Sequence, residues 1–440
     1  MTSQSTAAPR TPYSVDPQIL EVVREAAAQV REVSGQRIGD MVERALLRTL
    51  TDTITLGEDG SAFVITGDIP AMWLRDSTTQ LTPYLRLLEG CAPLADLVAA
   101  VVRRQFACLS HDTYANAFND GPTGGHHEPR DLCTDPHVWE QKYEIDSLAY
   151  PVVLAHGIWR ATGRTDVLEG PVHEVLARIV AQLRREQRHE DSSYRFVRPS
   201  PLPTESLTRE GRGTPTAFTG MTWSGFRPSD DACTFHYNIP GNLLAAQALR
   251  GIAEIAEEAL ADAALAADAR ALSQELVDGV AQHGVVGGPA GERIYAYEVD
   301  GLGGTLLMDD ANTPSLLALP LFAPDVMDAP VWEATRRFIL SPANPFYVEG
   351  TVASGVGSPH TLPGYVWPIA LAIEALTGAP EERPRTLELI AATDAGTGNI
   401  HESFHASDPT KFSRPWFSWA DSMFCELALQ VVEDAQAARR

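Results

Sequence analysis

The sequence predicts an all-α chain with small β-hairpin insertions and long loops collected at one end. Three observations carry this: apolar residues recur at helical spacing in about twelve segments, βαβ alternation is absent, and the longest gaps are rich in Gly and Pro. Helices in consecutive pairs around one centre make an (α/α)6 toroid. The same elements laid in a row make a tandem of helical bundles, and periodicity does not separate the two.

The elements follow in order. Asp16-Pro17 reads as an N-cap with Pro at the first helical position. Behind it Ile19, Val22, Val23, Ala26, Val30 and Val33 keep helical spacing until Ser34-Gly35. A second helix runs from about residue 36 to 50, with Ile38, Met41, Val42, Ala45 and Leu46 on one face. TITLGEDGSAFVITG alternates about an acidic-Gly turn and predicts a hairpin over 53–67. Further helices are expected near 77–88, 93–110, 144–162, 171–188, 238–258 and 261–282. IYAYEVDGLGGTLLM predicts a second hairpin over 294–308, with GVVGG (284–288) and GLGG (301–304) as turns. Helices near 312–319, 329–340, 363–377, 383–393 and 418–436 complete the chain. No short fixed repeat is present, which excludes a short-repeat solenoid. The Pro-rich tract 197–225 ends in MTWSGF and reads as a long loop inside one domain, not as a tether. The expected organisation is a disordered tail over 1–15 and a single domain over 16–440.

Charge and composition exclude several partner classes. The chain has 34 basic and 58 acidic residues, a net charge of −24. Such a surface repels nucleic acid and anionic membranes. No run approaches the roughly 18 apolar residues of a bilayer span, and the N-terminal stretch lacks a hydrophobic signal core. Five scattered cysteines without CxxC spacing suit reduced thiols, so a cytoplasmic location is expected.

Four loop-like stretches concentrate acidic, aromatic and basic residues. GDIPAMWLRDST (67–78) brings Trp73, Arg75 and Asp76 to a hairpin–helix junction: a helix cap with its ion pair, or a stacking platform with hydroxyl-binding groups. GGHHEPRDLCTDPHVWEQKYEID (124–146) holds His126, His127, Glu128, Asp131, Cys133, Asp135 and His137, but at no metal-ligand spacing, so no metal site is expected. FRPSDDACTFHYNIPGN (226–242) carries adjacent Asp230 and Asp231 with no apolar helix to cap. Neighbouring carboxylates in a closed site separate their pKa values, and one kept protonated is a general acid; a solvated acidic turn beside Arg227 is the plainer reading. GNIHESFHASDPTKFSRPWFSWADS (398–422) sets Glu402 before Phe412, Trp416, Phe417 and Trp419, an aromatic density suited to stacking on sugar. A fifth stretch, VASGVGSPHTLPGYVWP (352–368), presents His360 and Tyr365. GxSxG, Walker and Rossmann motifs are missing, leaving carboxylate chemistry with aromatic platforms, as glycoside hydrolysis requires.

The motifs AMWLRDSTTQL, WEQKYEIDSLAYP, WSGFRPSDDAC and NIHESFH, spread from about residue 40 to the end, together resemble glycoside hydrolase family 125. The resemblance implies an (α/α)6 barrel and a metal-independent, cofactor-free, exo-acting α-mannosidase. It further implies hydrolysis of non-reducing terminal α-1,6-linked mannose with inversion, on a mannose-containing oligosaccharide. It gives the general acid to the SDD motif, Asp230 in preference to Asp231, and the general base to Glu402. Asp231 is left to hold substrate or tune the acid. Inversion implies carboxyl groups about 6.5–9.5 Å apart, with one water between. By the same resemblance Trp73, Arg75, Asp76, Tyr143, Glu144 and Asp146 line the terminal-sugar subsite, with His360 and Trp416 near its mouth. The alternatives are another (α/α)6 carbohydrate enzyme, a glucosidase or phosphorylase, or an inactive sugar-binding relative. A phosphorylase needs an anion pocket beside its base, and few cations beyond Lys411 and Arg414 lie near the HESF motif.

Overall fold

A computed structural model describes residues 11–439 of the chain. Outer helices alternate with inner elements along the sequence, and the inner ones close about an axis. Helix α1 (Pro17–Ser34) packs outside the ring on outer helix α2 (Gln36–Thr53). The inner pair α3 (Leu74–Thr79) and α4 (Thr82–Leu85) follows, then outer α5 (Ala92–His111) and inner α6 (Ile145–Thr162). Outer α7 (Val172–Glu186), inner α8 (Ile239–Glu254) and outer α9 (Ala263–Gly279) continue the alternation. The fourth inner element is an irregular buried segment that ends in the single turn α10 (Leu319–Phe322). Outer α11 (Ala329–Ile339), inner α12 (Pro368–Leu376), outer α13 (Arg383–Ala392) and inner α14 (Ser418–Ala438) finish the circuit.

Closure is visible along the axis, between the inner elements. Thr82, Tyr150, Gln247, Phe322, Ile373 and Met423, one from each inner element, line a single cavity there. The toroid therefore describes the chain and the row of bundles does not. Inner α6 and α8 are buried on nearly all sides, whereas outer α7 and α9 keep one exposed face, as layer position requires.

Local sequence explains the boundaries. Asp16 accepts the N–H of Gln18 at 2.8 Å ahead of Pro17, and Gly35 ends α1 at φ 91°. Asn238 and Asp262 cap α8 and α9 in the same way. The helix expected over 77–88 is divided into α3 and α4, because Pro83 has no N–H to bond the Thr79 carbonyl one turn earlier. The helix expected over 312–319 is absent. Asp309 accepts the N–H groups of Leu316 and Leu317, and Asp310 accepts that of Asn312, so side chains capture donors that a helix needs.

The strands are short and antiparallel. Strand β1 (Thr11–Pro12) pairs with β2 (Ile54–Leu56), which pairs with β3 (Ala62–Val64), the first expected hairpin. Of the tail expected over 1–15, residues 1–10 lie outside the described residues. Thr11–Pro12 is β1, and Tyr13 donates its N–H to Ile54 O, so this part belongs to the fold. Strands β4 (Met72–Trp73), β5 (Ala117–Phe118) and β6 (Val138–Glu140) form a second sheet. Strand β7 (Tyr237–Asn238) joins a sheet described with the next run. The second expected hairpin is split between two sheets. Strand β8 (Val285–Gly287) lies where a turn was expected and pairs with β9 (Arg293–Tyr295), while β10 (Glu298–Val299) pairs with β7 and with β11 (Thr305–Leu306). The β-branched pair Val285-Val286 favours that strand. Strand β12 (Tyr347–Val348) pairs with β13 (Gly355–Val356); β14 (Tyr365–Val366), β15 (Ser403–His405) and β16 (Asp408–Ser413) form the last sheet.

The 197–225 tract ends inside the fold. Trp223 is fully buried between His189 and His236, with ring centroids 3.5 and 4.6 Å away. Removing that ring leaves a large cavity, so Trp223→Ala is expected to cost about 3–5 kcal/mol. A denaturant melt checks this, and a midpoint equal to wild type refutes it.

Candidate active site

The site is assembled at the N-terminal ends of the inner helices. Trp73 ends β4 and is the N-cap of α3, so Arg75 and Asp76 fall in the first turn of a buried helix. One guanidinium then meets four carboxylates. Arg75 NH1 donates to Glu144 Oε2 at 2.7 Å and Asp146 Oδ2 at 3.0 Å, and NH2 donates to Asp230 Oδ1 at 3.3 Å. Its Nε lies 3.6 Å from Asp76 Oδ2. Arginine suits this position because its planar fork serves several carboxylates at once and it does not deprotonate.

Asp230 sits on a loop pinned from three sides. Phe226 bridges to Ala232, and Arg227 donates to Glu298 Oε1 at 2.6 Å. Lys142 Nζ donates to the Asp230 carbonyl at 2.7 Å. The Asp230 backbone is left-handed, φ 66°, a strained choice for a residue with a Cβ and one that turns its carboxylate toward the cavity. Asp231 is buried behind it. Its Oδ1 lies 3.6 Å from His360 Nδ1, and its Oδ2 has no partner among the described residues.

Glu402 precedes β15 in the last sheet. Ser413 Oγ donates to its Oε2 at 2.8 Å, and Arg414 NH1 donates to its Oε1 at 3.3 Å. Arg414, also left-handed at φ 37°, is held by Asp68 through two hydrogen bonds and lies over the Phe417 ring. Both ends of the carboxylate are therefore fixed.

Asp230 and Glu402 line the same cavity. Trp73, Arg75, Asp76 and His360, all expected at the site, line it too, together with Thr66, Asn312, Trp367, Arg414, Phe417 and Trp419. Glu144 and Asp146 lie beneath, against Arg75, and do not reach the cavity. Tyr143 and Trp416 correct the sequence reading. Residues 140–144 run extended, so Glu140, Lys142 and Glu144 face the acid loop, while Tyr143 turns into a buried cluster with Tyr114, Tyr194 and Trp223. Trp416 donates Nε1–H to Asp421, lies under the Arg48 guanidinium and covers Gly67. A Cβ at Gly67, φ 123°, would stand 3.0 Å from that ring, so glycine is required there. Asn312 and Trp367 were missed because the first lies in a run read as helix and the second precedes an apolar helix that reads as core.

Burial and charge set the protonation pattern. Burial pushes Asp76 up to about 6 against the pull of Arg75. It also pushes Glu144 well above the usual carboxyl range and raises Asp146. Burial alone would raise Asp230, but Arg75, a hydrogen bond with Glu144, Lys142 and His360 together hold it below the usual range. Burial would lower His360, yet the hydrogen bond and charge of Asp231, with Asp230 and Glu402 beyond, lift it to about 9.

Residues 35–429 match the family described as metal-independent α-mannosidase (GH125). The meiotically up-regulated gene 157 protein of Schizosaccharomyces pombe is 36% identical over 436 residues, 93% of this chain and 86% of that protein. A Streptococcus pneumoniae metal-independent α-mannosidase, solved as a non-productive complex with α-1,6-mannobiose, is 45% identical with a TM-score of 0.91. That alignment covers 94% of this chain and 98% of the other. A bacterial glucoamylase solved with acarbose shares the fold at 12% identity and a TM-score of 0.58, over 94% of this chain and 57% of its own. The chain belongs to glycoside hydrolase family 125, the metal-independent α-mannosidases.

The His360–Asp231 pair has a pH signature. His360 is expected to stay imidazolium at neutral pH and to deprotonate near 9. Its folded-state value lies above the unfolded one of about 6.5, so the stabilisation is complete below about 6.5 and lost as pH rises through about 9. Histidine ring-proton NMR reads this directly. Titration at an ordinary histidine value, or no change in the curve in Asp231→Asn, contradicts the pairing.

Proposed function

We propose that this chain is an exo-acting, inverting α-mannosidase that removes non-reducing terminal α-1,6-linked mannose, with Asp230 as general acid and Glu402 as general base. The observation that carries the reading is that these two carboxylates, in contrasting surroundings, line one small cavity with a buried polar floor. The α-1,6-mannobiose bound to the pneumococcal relative supports the linkage.

Each group has work its environment suits. Glu402, fixed by Ser413 and Arg414, takes a proton from the water that attacks the anomeric carbon. Asp230, at the cavity wall, protonates the departing glycosidic oxygen. Arg75, Asp76, Asn312 and His360 are positioned to hold sugar hydroxyl groups, and Trp73, Trp367, Phe417 and Trp419 offer apolar faces to the ring. Asp231, behind the acid, pairs with His360 and tunes the charge around it. Hydrolysis is favoured over phosphorolysis because the cation beside the base is already neutralised: Arg414 faces both Glu402 and Asp68. The reading includes a cytoplasmic location, in keeping with cysteines that form no disulfide among the described residues. Among the described residues no helix is long and apolar enough to cross a membrane.

Proton NMR of the first sugar released from α-1,6-mannobiose tests substrate, linkage and stereochemistry together. β-Mannose is expected first, and α-mannose first overturns inversion. Glu402→Gln and Asp230→Asn are each expected to lower turnover by at least about a hundredfold. If Asp231→Asn is the more damaging change and a good leaving group rescues it, the acid is Asp231.

A further inference from the structure

The proposed acid presents a difficulty of its own: the site around Asp230 is arranged to keep that carboxyl ionised, yet a general acid must carry a proton. The surrounding charges show where one is available. Arg75 and Lys142 bring two positive charges to Asp230. Against them stand Asp76, Glu144 and Asp146 around the same guanidinium, with Asp230 itself the fourth carboxylate. Glu140 and Glu205 face Lys142, and Arg198 bridges Glu140, Glu205 and Asp131, so Lys142 and Arg198 already face three carboxylates of their own and leave no spare cation for the inner layer. Asp231 and half-exposed His360 face Asp230 from the other side as a compensated pair. The inner layer therefore holds more carboxylates than cations, and in a buried setting a proton, not solvent, makes up the difference.

Glu144 is where that proton belongs. Its side chain is wholly buried, with Oε2 already accepting from Arg75 and from Ser147 Oγ at 3.1 Å. Its carboxyl is in hydrogen-bond contact with that of Asp230, and Asn116 Nδ2 reaches both, lying at a long 3.4 Å from Glu144 Oε1 and 3.5 Å from Asp230 Oδ1. Asn116 spends its better hydrogen bond, 2.9 Å, on Glu140. One amide thus touches both carboxyl groups weakly, and the two face each other beside it. Protonation of Glu144, raised by burial, agrees with this placement.

We propose that Glu144 and Asp230 share one proton, and that Glu144 is a positioning residue which keeps the general acid loaded. This rests on Asp230 being the acid. In the empty site the proton is on Glu144 and is donated to Asp230. When a sugar covers the cavity and excludes water, the proton passes from Glu144 to Asp230, leaving the Glu144 carboxylate against Arg75. Asp230 then gives that proton to the glycosidic oxygen as the bond to the anomeric carbon breaks. The leaving group departs as an alcohol, and water adds to the anomeric carbon while Glu402 takes its proton. After product release Glu402 returns a proton to solvent and the Glu144–Asp230 pair takes one up, which closes the cycle.

The test is the pH dependence of kcat/KM for full-length wild type and Glu144→Gln, on α-1,6-mannobiose and on an aryl α-mannoside whose leaving group needs no protonation. Without a second carboxylate to share its proton, Asp230 is left to its cations. The basic limb of the mannobiose profile is therefore expected to move down by at least about one pH unit. Turnover of mannobiose at neutral pH is expected to fall at least about tenfold, with the aryl mannoside falling less than about threefold. An unmoved basic limb, or equal loss on both substrates, overturns the proposal. If Glu144→Gln does not fold, Glu144→Asp, which withdraws the carboxyl by one methylene, is read in the same way. Wild-type turnover of mannobiose separates the two levels: with it, an unmoved limb sinks only the sharing of the proton. Without it, the functional reading falls as well.

Discussion

One buried guanidinium organises the catalytic end of this protein. Arg75 comes from α3, Glu144 and Asp146 from the start of α6, and Asp230 from the loop before α8, so a single side chain ties three consecutive inner elements together. Burial alone would strip its charge, but four carboxylates hold it well above even the usual arginine range. The reverse also holds. Without that cation the carboxylates would repel one another in a poorly hydrated space, and each would have to take up a proton or move apart. Removing one partner from such a cluster typically costs about 3–5 kcal/mol, whereas an apolar replacement of the whole set is often neutral. A charged cluster of this kind is therefore better explained by chemistry at the cavity than by stability.

The toroid makes that concentration possible. Its inner helices all begin at the pocket, so Trp73, Glu144, Asn238, Trp367 and Phe417, the N-caps of α3, α6, α8, α12 and α14, meet at one end of the axis. Helix N-termini carry partial positive charge, which suits a site dense in carboxylates. The net charge of −24 is thus not spread evenly in its meaning. Most of it lies on the connections between helices, the outer helices being close to neutral, and only a few of the acids are buried at the convergence.

How much of this was legible in the sequence depended on what each residue type advertises. The long helices α1, α2, α5 and α14 were plain from periodicity because their packing faces repeat. The fourth inner element was not, since Asp309 and Asp310 take backbone donors that periodicity assumes are free for a helix. In the site, acidic and aromatic residues on loops stood out, and Trp73, Arg75, Asp76, Asp230, His360 and Glu402 do meet at one cavity. Motif membership said nothing about direction, however. Tyr143 and Glu144 are neighbours on extended chain and point opposite ways, one into an aromatic cluster and one toward Arg75. Trp416 and Phe417 divide similarly between packing on Gly67 and lining the pocket.

The two carboxylates at the cavity differ in a way that follows from how each is held. Glu402 has both oxygens engaged by donors, Ser413 and Arg414, and Arg414 is in turn clamped by Asp68; this arrangement fixes the direction of the acceptor. Asp230 has cations on one side and a buried carboxyl partner on the other, an arrangement that holds one proton between two groups. Both depend on strained backbone, left-handed at Asp230 and at Arg414, the cation that fixes Glu402. Such strain persists only where the surroundings over-determine it. Here they do, through Arg227–Glu298 and Lys142 at one wall and through Asp68 and the β15–β16 sheet at the other. The fold thus spends rigidity on two parts of one cavity's wall, which is where the proposed acid and base would need it to act on the same bond.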